Sequence, residues 1–398
     1  MSGRGTLPSA LVALLLLAHS TLAKKTPPSL PEEPPIDYEA LENACDLIDM
    51  VEAMYCYCDF LDRGEGETAN CWVYNSTRAS DRVWDTFYHQ PGLHRLTVSM
   101  RGQGGLDAVP TRALGYLPQL WTLEMKNSGI ANITEEAFGR STSISDLVLS
   151  RNGIEELERR AFSHLTNVSR LNLGENQLQV VNRHVFVQLP RLRQLYLDRN
   201  RITRVRSGAF VQLAELRELD LYGNELRAVS RGTFKGLSQL RRLDLHRNRL
   251  EVIGDRTFAE LPRLTELDLA ENRIQFLGDH GLEGLPNLVR LVLRDNRLTQ
   301  LQPATFTHTP DVFYLNVQQN RLQTLEQATF RPIMDNMNNI TMYFYSAGER
   351  RATEAITGLR KRSVRDIPQN STYFIQTLFA MQVSRTSINI TQLPLSNI

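Results

Sequence analysis

Leu192-x-x-Leu195-x-Leu197-x-x-Asn200 returns 24 residues later as Leu216-x-x-Leu219-x-Leu221-x-x-Asn224, and again as Leu240-x-x-Leu243-x-Leu245-x-x-Asn248. Working outward from these copies, the asparagine recurs at Asn152, Asn176, Asn200, Asn224, Asn248, Asn272, Asn296 and Asn320. A second column runs Phe138, Phe162, Phe186, Phe210, Phe234, Phe258, Leu282, Phe306 and Phe330. Two columns in step over eight periods organise the stretch from Ile144 to Phe330. Within each copy the Leu-x-Leu alternation predicts a short strand, its leucines facing one way and the intervening residues the other. One copy cannot bury its leucines alone, so neighbours stack and share a continuous core. The asparagine turns inward, where its amide can pair with backbone groups left buried by the turn. The Phe packs under the opposite side.

The pattern is similar to that of the leucine-rich-repeat family, here over about Leu93 to Phe330. The expected fold is an α/β-type solenoid, or horseshoe. A parallel sheet lines its concave side, with strands about 4.8 Å apart. Its convex side is mostly irregular or short-helical. Two less regular copies precede the clear ones, at Leu93-x-x-Leu96-x-Val98 and Leu120-x-x-Leu123-x-Met125, with Ser128 at the asparagine place. Their offset of 27 residues predicts a bulge around Arg101 to Gly105, and the count comes to about ten repeats.

At 398 residues the chain has room for several globular domains, but the repeats argue for one elongated domain. A net charge of +1 gives no electrostatic case for nucleic acid or an anionic membrane. Residues 1–23 read as a signal peptide: Arg4, the apolar run Ala10 to Ala18, then Thr21-Leu22-Ala23. That run is too short to cross roughly 30 Å of hydrocarbon, and no other stretch predicts a transmembrane helix. Residues 24–40, with Pro27, Pro28, Pro31, Pro34 and Pro35, form a Pro-rich, poorly ordered leader.

All four cysteines, Cys45, Cys56, Cys58 and Cys71, lie in the span 41–92. In a secreted chain they imply two disulfides, with three pairings open. The alternative is a zinc site, but Cys-x-Cys is tight for tetrahedral zinc and the secretory route favours oxidation. This arrangement resembles the N-terminal cap of extracellular leucine-rich-repeat proteins. The resemblance implies Cys45 with Cys58 and Cys56 with Cys71, in a cap covering the open end of the core. Cys71-Trp72-Val73-Tyr74 is its expected strand, and Trp84, Phe87 and Tyr88 are expected to pack between cap and first repeat.

The period stops after Phe330. Residues 331–345 form a cysteine-free C-terminal capping segment whose strand Asn339 to Tyr345 closes the core, with either Met342 and Phe344 or Tyr343 and Tyr345 facing in. Residues 346–398 are a basic linker and poorly ordered tail. Arg362-Ser363-Val364-Arg365 matches a basic cleavage pattern, though a solvated basic loop is the plainer reading. Gln376, Gln382, Asn389 and Gln392 interrupt the apolar tail that a lipid-anchor signal needs. Six glycosylation sequons begin at Asn75, Asn132, Asn167, Asn339, Asn370 and Asn389, none at a predicted concave strand position.

The outward positions of the strands form columns. Glu218, Arg242, Glu266 and Arg290 alternate in sign, and each exposed pair contributes ~0.2–1 kcal/mol, more to register than to stability. Asp220, Asp244 and Asp268 stand in the next column, and Tyr222 and His246 in the third. Three aspartates beside a histidine raise the thought of a cation. Like charges about 5 Å apart in water repel by only ~0.8 kcal/mol, which needs no metal to relieve, so none is assigned and no cofactor is implied. Nor does an enzyme emerge: Asp244 and His246 share a face, but neither Ser nor Cys adjoins them. The other histidines, including His280 and His308, are scattered over loops and convex segments.

Recognition remains. Tyr196, Arg199, Asp220, Tyr222, Asp244, His246, Arg247 and Asp268 place aromatic and Arg groups on a rigid sheet, the composition of binding hot spots. The cap Cys45…Cys56-x-Cys58…Cys71-Trp72, the unbroken 24-residue repeats and the closing Phe330-Arg331-Pro332-Ile333…Tyr343-Phe344-Tyr345 resemble arthropod connectin-like cell-adhesion proteins. That resemblance implies a lipid-anchored surface protein that binds like to like. The expected function is extracellular recognition in cell adhesion, homophilic by that resemblance, through the concave face. The partner is an extracellular or cell-surface protein, including a second copy of this chain. The alternative is a secreted matrix or soluble ligand-binding protein, secreted rather than tethered.

Overall fold

Alternating burial along each Leu-x-Leu segment stacks the repeats. Residues 43–45, 54–60, 66–74, 76–101, 105–139, 141–322, 327–334 and 341–343 are described by a computed structural model. The signal-peptide, leader and tail assignments lie outside them, as do Asn75, Asn339, Phe344, Tyr345, Asn370 and Asn389 and most of the expected bulge. Among the described residues no helix is long and apolar enough to cross a membrane.

One 13-stranded sheet runs through the unit that begins at Glu42. In chain order its strands are β1 (Met54–Phe60), β2 (Gly66–Val73), β3 (Arg95–Met100), β4 (Thr122–Lys126), β5 (Asp146–Val148), β6 (Arg170–Asn172) and β7 (Gln194–Tyr196). There follow β8 (Glu218–Asp220), β9 (Arg242–Asp244), β10 (Glu266–Asp268), β11 (Arg290–Val292), β12 (Tyr314–Asn316) and β13 (Thr341–Tyr343). Among the described residues only β1 and β2 pair antiparallel in this sheet; from β2 onward every pairing is parallel. The register is set by the period, so Leu195, Leu219, Leu243, Leu267, Leu291 and Leu315 fall in one line. All are 0–1 % exposed, so a slip of one residue would expose the whole line.

The asparagine column is hydrogen-bonded to the backbone of its own and neighbouring repeats. Asn224 is 5 % exposed. Its Nδ2 donates to Leu197 O (2.9 Å) and Leu221 O (3.0 Å), while its Oδ1 accepts from Ile202 N–H at 2.9 Å. The same set recurs at Asn200, Asn248, Asn272, Asn296 and Asn320. Ser128 covers part of this role: its Oγ donates to Val98 O, and its N–H goes to Asn152 Oδ1. On the convex side the phenylalanines form a buried spine. Neighbouring rings stack 5.7–6.0 Å apart in Phe138–Phe162, Phe162–Phe186, Phe186–Phe210 and Phe234–Phe258. The rest of this side is turns, with a short 3-10 segment at Arg231–Phe234 and three pairs of two-residue strands.

The ends are closed differently. At the N-terminal end Cys45–Cys58 and Cys56–Cys71 are joined, the second pair directly opposed across the β1–β2 hairpin. Loops of this size are each worth ~3 kcal/mol in the chain-entropy account. A 3-10 segment, Arg82–His89, buries Trp84 and Phe87 with rings 6.4 Å apart. Its Asp85 is fully buried and held by Arg112 Nε at 2.9 Å and the Tyr116 hydroxyl at 3.1 Å, from α1 (Thr111–Gly115) and its end. At the other end the chain forms α2 (Gln327–Met334), which runs through Arg331 and Pro332, where the sequence suggested only a break. Phe330 and Ile333 still reach the core. β13 then adds to β12 with Met342 in register with Leu315.

Candidate functional site

The site is built on the strand ends of β7 to β10. The eighth position of each repeat, the residue before each ladder asparagine, has left-handed backbone: Arg151, Glu175, Arg199, Arg247, Glu271, Asp295 and Gln319 at φ between 50° and 62°, and Gly223 at 67°. This conformation is strained for a side-chain-bearing residue. It turns the chain off the sheet and sets Arg199 and Arg247 at its rim. Sequence reasoning placed both arginines at strand ends but had no signal for the conformation, because Gly occupies the column only once among these repeats.

Asp220, Asp244 and Asp268 stand side by side on neighbouring strands. Each uses Oδ1 to accept the N–H two residues on, from Tyr222, His246 and Ala270, at 2.9–3.0 Å. Asn172 and Asn316 make the same bond from the same column, so the turn needs an oxygen there but no charge. Asp198 joins the group from the third column. Gly174 leaves it room, since a Cβ at Gly174 would collide with the carboxylate oxygen of Asp198. The alternation of residue types gave no warning of this fourth carboxylate's part.

Burial on the sheet, and then the neighbouring carboxylates, raise the proton affinity of Asp220, Asp198 and Asp268. Asp220 is pushed up to about 6, first by burial and then by Asp244 and Asp198, against the lowering effect of the Tyr222 N–H bond. Asp198 and Asp268 are raised chiefly by burial as well. Burial would lower His246, but its hydrogen bond to Asp244 and the charges of Asp244, Asp268 and Glu271 prevail and raise it. His246 is therefore biased towards its cationic form inside an acidic strip.

The aromatic half of the site is ordered by the same neighbours. Tyr222 and His246 stack with centroids 4.0 Å apart. Arg199 and Arg247 sit over the Tyr222 ring at 5.3 and 5.7 Å, and Arg247 also donates to the Tyr222 hydroxyl at 2.7 Å and to Glu271 at 2.6 Å. Arg199 approaches Glu175 at 3.6 Å, which also holds Arg151. The structure thus brings seven of the eight sequence-selected residues into one strip. Tyr196 aligns with Asp220 but belongs to a second cluster, its hydroxyl bonded to Glu218 at 3.2 Å and its ring under Arg170. Burial, and then Glu218, push its phenol up to about 12.

Catalytically, the Asp244–His246 pair faces Tyr222 and carboxylates. A shallow groove of about 760 Å³ lies on the convex side, between Glu156–Arg159 and Arg183/Arg206, with charges of both signs on its walls. Of the described sequon residues, Asn132 is exposed on a convex two-residue strand. Asn167 is half-buried, with Nδ2 donating to Thr142 O at 2.7 Å and Oδ1 accepting from Arg191. One convergence was invisible in the sequence: His280 and His308, read as scattered, meet at Glu283 on the convex side.

Comparison with known proteins agrees with this architecture. The leucine rich repeat model matches residues 142–202, 193–250, 238–298 and 286–334. No curated protein matches the chain. Among solved structures, the complex of Toll with Spatzle from Drosophila superposes with a TM-score of 0.60 at 22 % identity, covering 80 % of this chain and 40 % of that one. TLR13 in complex with ssRNA13 gives 0.59 at 22 % identity, covering 69 % and 38 %. An internalin from Listeria monocytogenes gives 0.51 at 17 % identity, covering 71 % and 81 %. The chain therefore spans about two-fifths of the Toll and TLR13 chains it matches. These likenesses are of fold. With the repeat periodicity, the parallel sheet and the asparagine ladder, they make this a leucine-rich-repeat protein.

Proposed function

We propose that the chain is an extracellular recognition module that grips a protein partner on its concave face, and that this serves cell adhesion, with a second copy of the chain as the first candidate partner. The observation carrying the reading is the aspartate column. Asn172 and Asn316 satisfy the same turn without charge, so the carboxylates of Asp220, Asp244 and Asp268 exceed what the fold needs. Asp220 and Asp268, held above their ordinary proton affinity, are relieved by an incoming guanidinium or ammonium group, and Tyr222 beside them supplies a rigid apolar surface. The patch thus suits a basic side chain of a protein and repels a phosphate backbone, which argues against nucleic acid as ligand. Disulfide-bonded cysteines favour an oxidising, extracellular setting. The connectin-like resemblance and near-zero net charge fit self-association.

Beads coated with the purified protein test this. Clustering of coated beads that is lost in the Tyr222→Ala/Asp244→Asn variant supports homophilic adhesion. Beads that stay dispersed at all coating densities refute the homophilic part. The second reading, a secreted ligand-binding protein, draws on neighbours whose structures hold ligands, Spatzle on Toll and RNA on TLR13. It predicts the protein in the medium, with labelled chain binding cells through the same face while coated beads remain dispersed.

A further inference from the structure

The sequence separates His280 from His308 by one 24-residue period plus four, and adjacent turns bring them side by side. Their rings lie 5.7 Å apart. Glu283, three residues after His280, points Oε2 to within 3.6 Å of His280 Nδ1. One ligand atom from each of the three residues lies within 4.8 Å of the others. The backbone beneath is firmly held. The His280 N–H donates to Asp255 Oδ1 at 3.0 Å, and its carbonyl accepts from Arg256 N–H and Glu283 N–H at 2.9 and 3.0 Å. Leu282 and Phe306, flanking the three residues in sequence, are fully buried. Arg256 Nε holds the other carboxylate oxygen of Glu283 at 3.0 Å, which leaves Oε2 directed at the imidazoles.

We propose that His280, Glu283 and His308 form a zinc-binding site on the convex surface, with its fourth position open to water or to a side chain of another molecule. Two imidazoles and one carboxylate match the donor set that zinc takes when three protein ligands bind it. Calcium and magnesium prefer all-oxygen shells, so they are poor candidates here. Zinc bonds of about 2.0–2.1 Å need ligand atoms about 3.4 Å apart in tetrahedral geometry. The exposed imidazoles close the remaining gap, at most about 1.4 Å, by rotamer adjustment, without moving the pinned backbone of His280. Arg256 plays the orienting part usual for a group that hydrogen-bonds a metal-bound carboxylate. The site lies on the face opposite the aspartate strip and does not depend on the recognition reading.

The test is calorimetric titration of the chelator-treated full chain with zinc chloride, with magnesium and calcium chloride as comparisons. One zinc per chain at micromolar affinity or tighter is expected, with no comparable heat from magnesium or calcium. His280→Ala and His308→Ala should each weaken zinc binding at least tenfold, and Glu283→Gln less. All three side chains are at least partly exposed, and circular dichroism checks that each variant stays folded. The proposal is overturned if the native chain takes up no stoichiometric zinc. It is equally overturned if the His280→Ala/His308→Ala double variant binds zinc as the native chain does, which would place the ion elsewhere.

Discussion

Replacing Asp220 by Asn removes a charge while keeping the oxygen that accepts the Tyr222 N–H, as Asn172 and Asn316 demonstrate at equivalent places. In the unfolded chain an aspartate titrates near 3.9. In the fold Asp220 is pushed up to about 6. The folded-state value is the higher one, so the sign follows. Below about pH 3 both states hold the proton and the charge makes no difference. Between about 4 and 6 the unfolded chain loses its proton first, and stability falls as pH rises. Above 6 the full penalty applies. Each tenfold change in proton affinity corresponds to about 1.4 kcal/mol, which gives at most ~3 kcal/mol. Screening by salt and partial exposure reduce this to ~1–2 kcal/mol. Asp220→Asn is therefore expected to raise the urea midpoint at pH 7.5 by that equivalent and to leave it nearly unchanged at pH 3. The same variant should bind the partner more weakly, the trade expected when charge is kept for function at the expense of stability. A midpoint that falls at pH 7.5, or rises equally at both pH values, would refute the reasoning.

Other expectations follow from the frame. Asn224→Ala strips three buried backbone groups of their partners and should destabilise by ~3 kcal/mol or more in urea unfolding; a loss under ~1 kcal/mol would mean water replaces the ladder without penalty. Arg112→Ala leaves Asp85 as an uncompensated buried charge and should destabilise the cap by ~3–5 kcal/mol, seen as hydrogen exchange rising first around Trp84 and Phe87, whereas equal protection in variant and native chains would contradict the brace. Mass spectrometry of the protein from a secretory host should find sugar on Asn132 and little on Asn167, whose amide nitrogen is engaged with Thr142 O; the reverse occupancy would contradict this placement.

How much of this was readable from residues alone varies with the kind of signal. A column that repeats strictly, like the ladder asparagines or Leu195 to Leu315, encodes its own register, so the sheet followed from counting. The placement of Asp220, Asp244 and Asp268 on one face followed in the same way. Interactions that need three-dimensional offsets did not follow. His280 and His308 differ by a period plus four, and Asp85 meets Arg112 through a non-repeating cap. The left-handed residue before each ladder asparagine escaped notice because Arg, Glu and Gln fill it as readily as Gly. α2 was missed because Pro332 reads as a breaker, although Phe330 and Ile333 on the same short helix still reach the core.

The central claim is that the concave strip, and not some other surface, holds the partner. It is tested most directly by comparing fluorescent full-length chain bearing Tyr222→Ala/Arg247→Ala with chain bearing changes at the exposed convex residues Val252 and Phe276, in binding to native-coated beads and to cell surfaces. The concave variant should lose at least tenfold in affinity while the convex variant binds as the native chain does. Undiminished binding by the concave variant, or equal loss in both, would contradict the account.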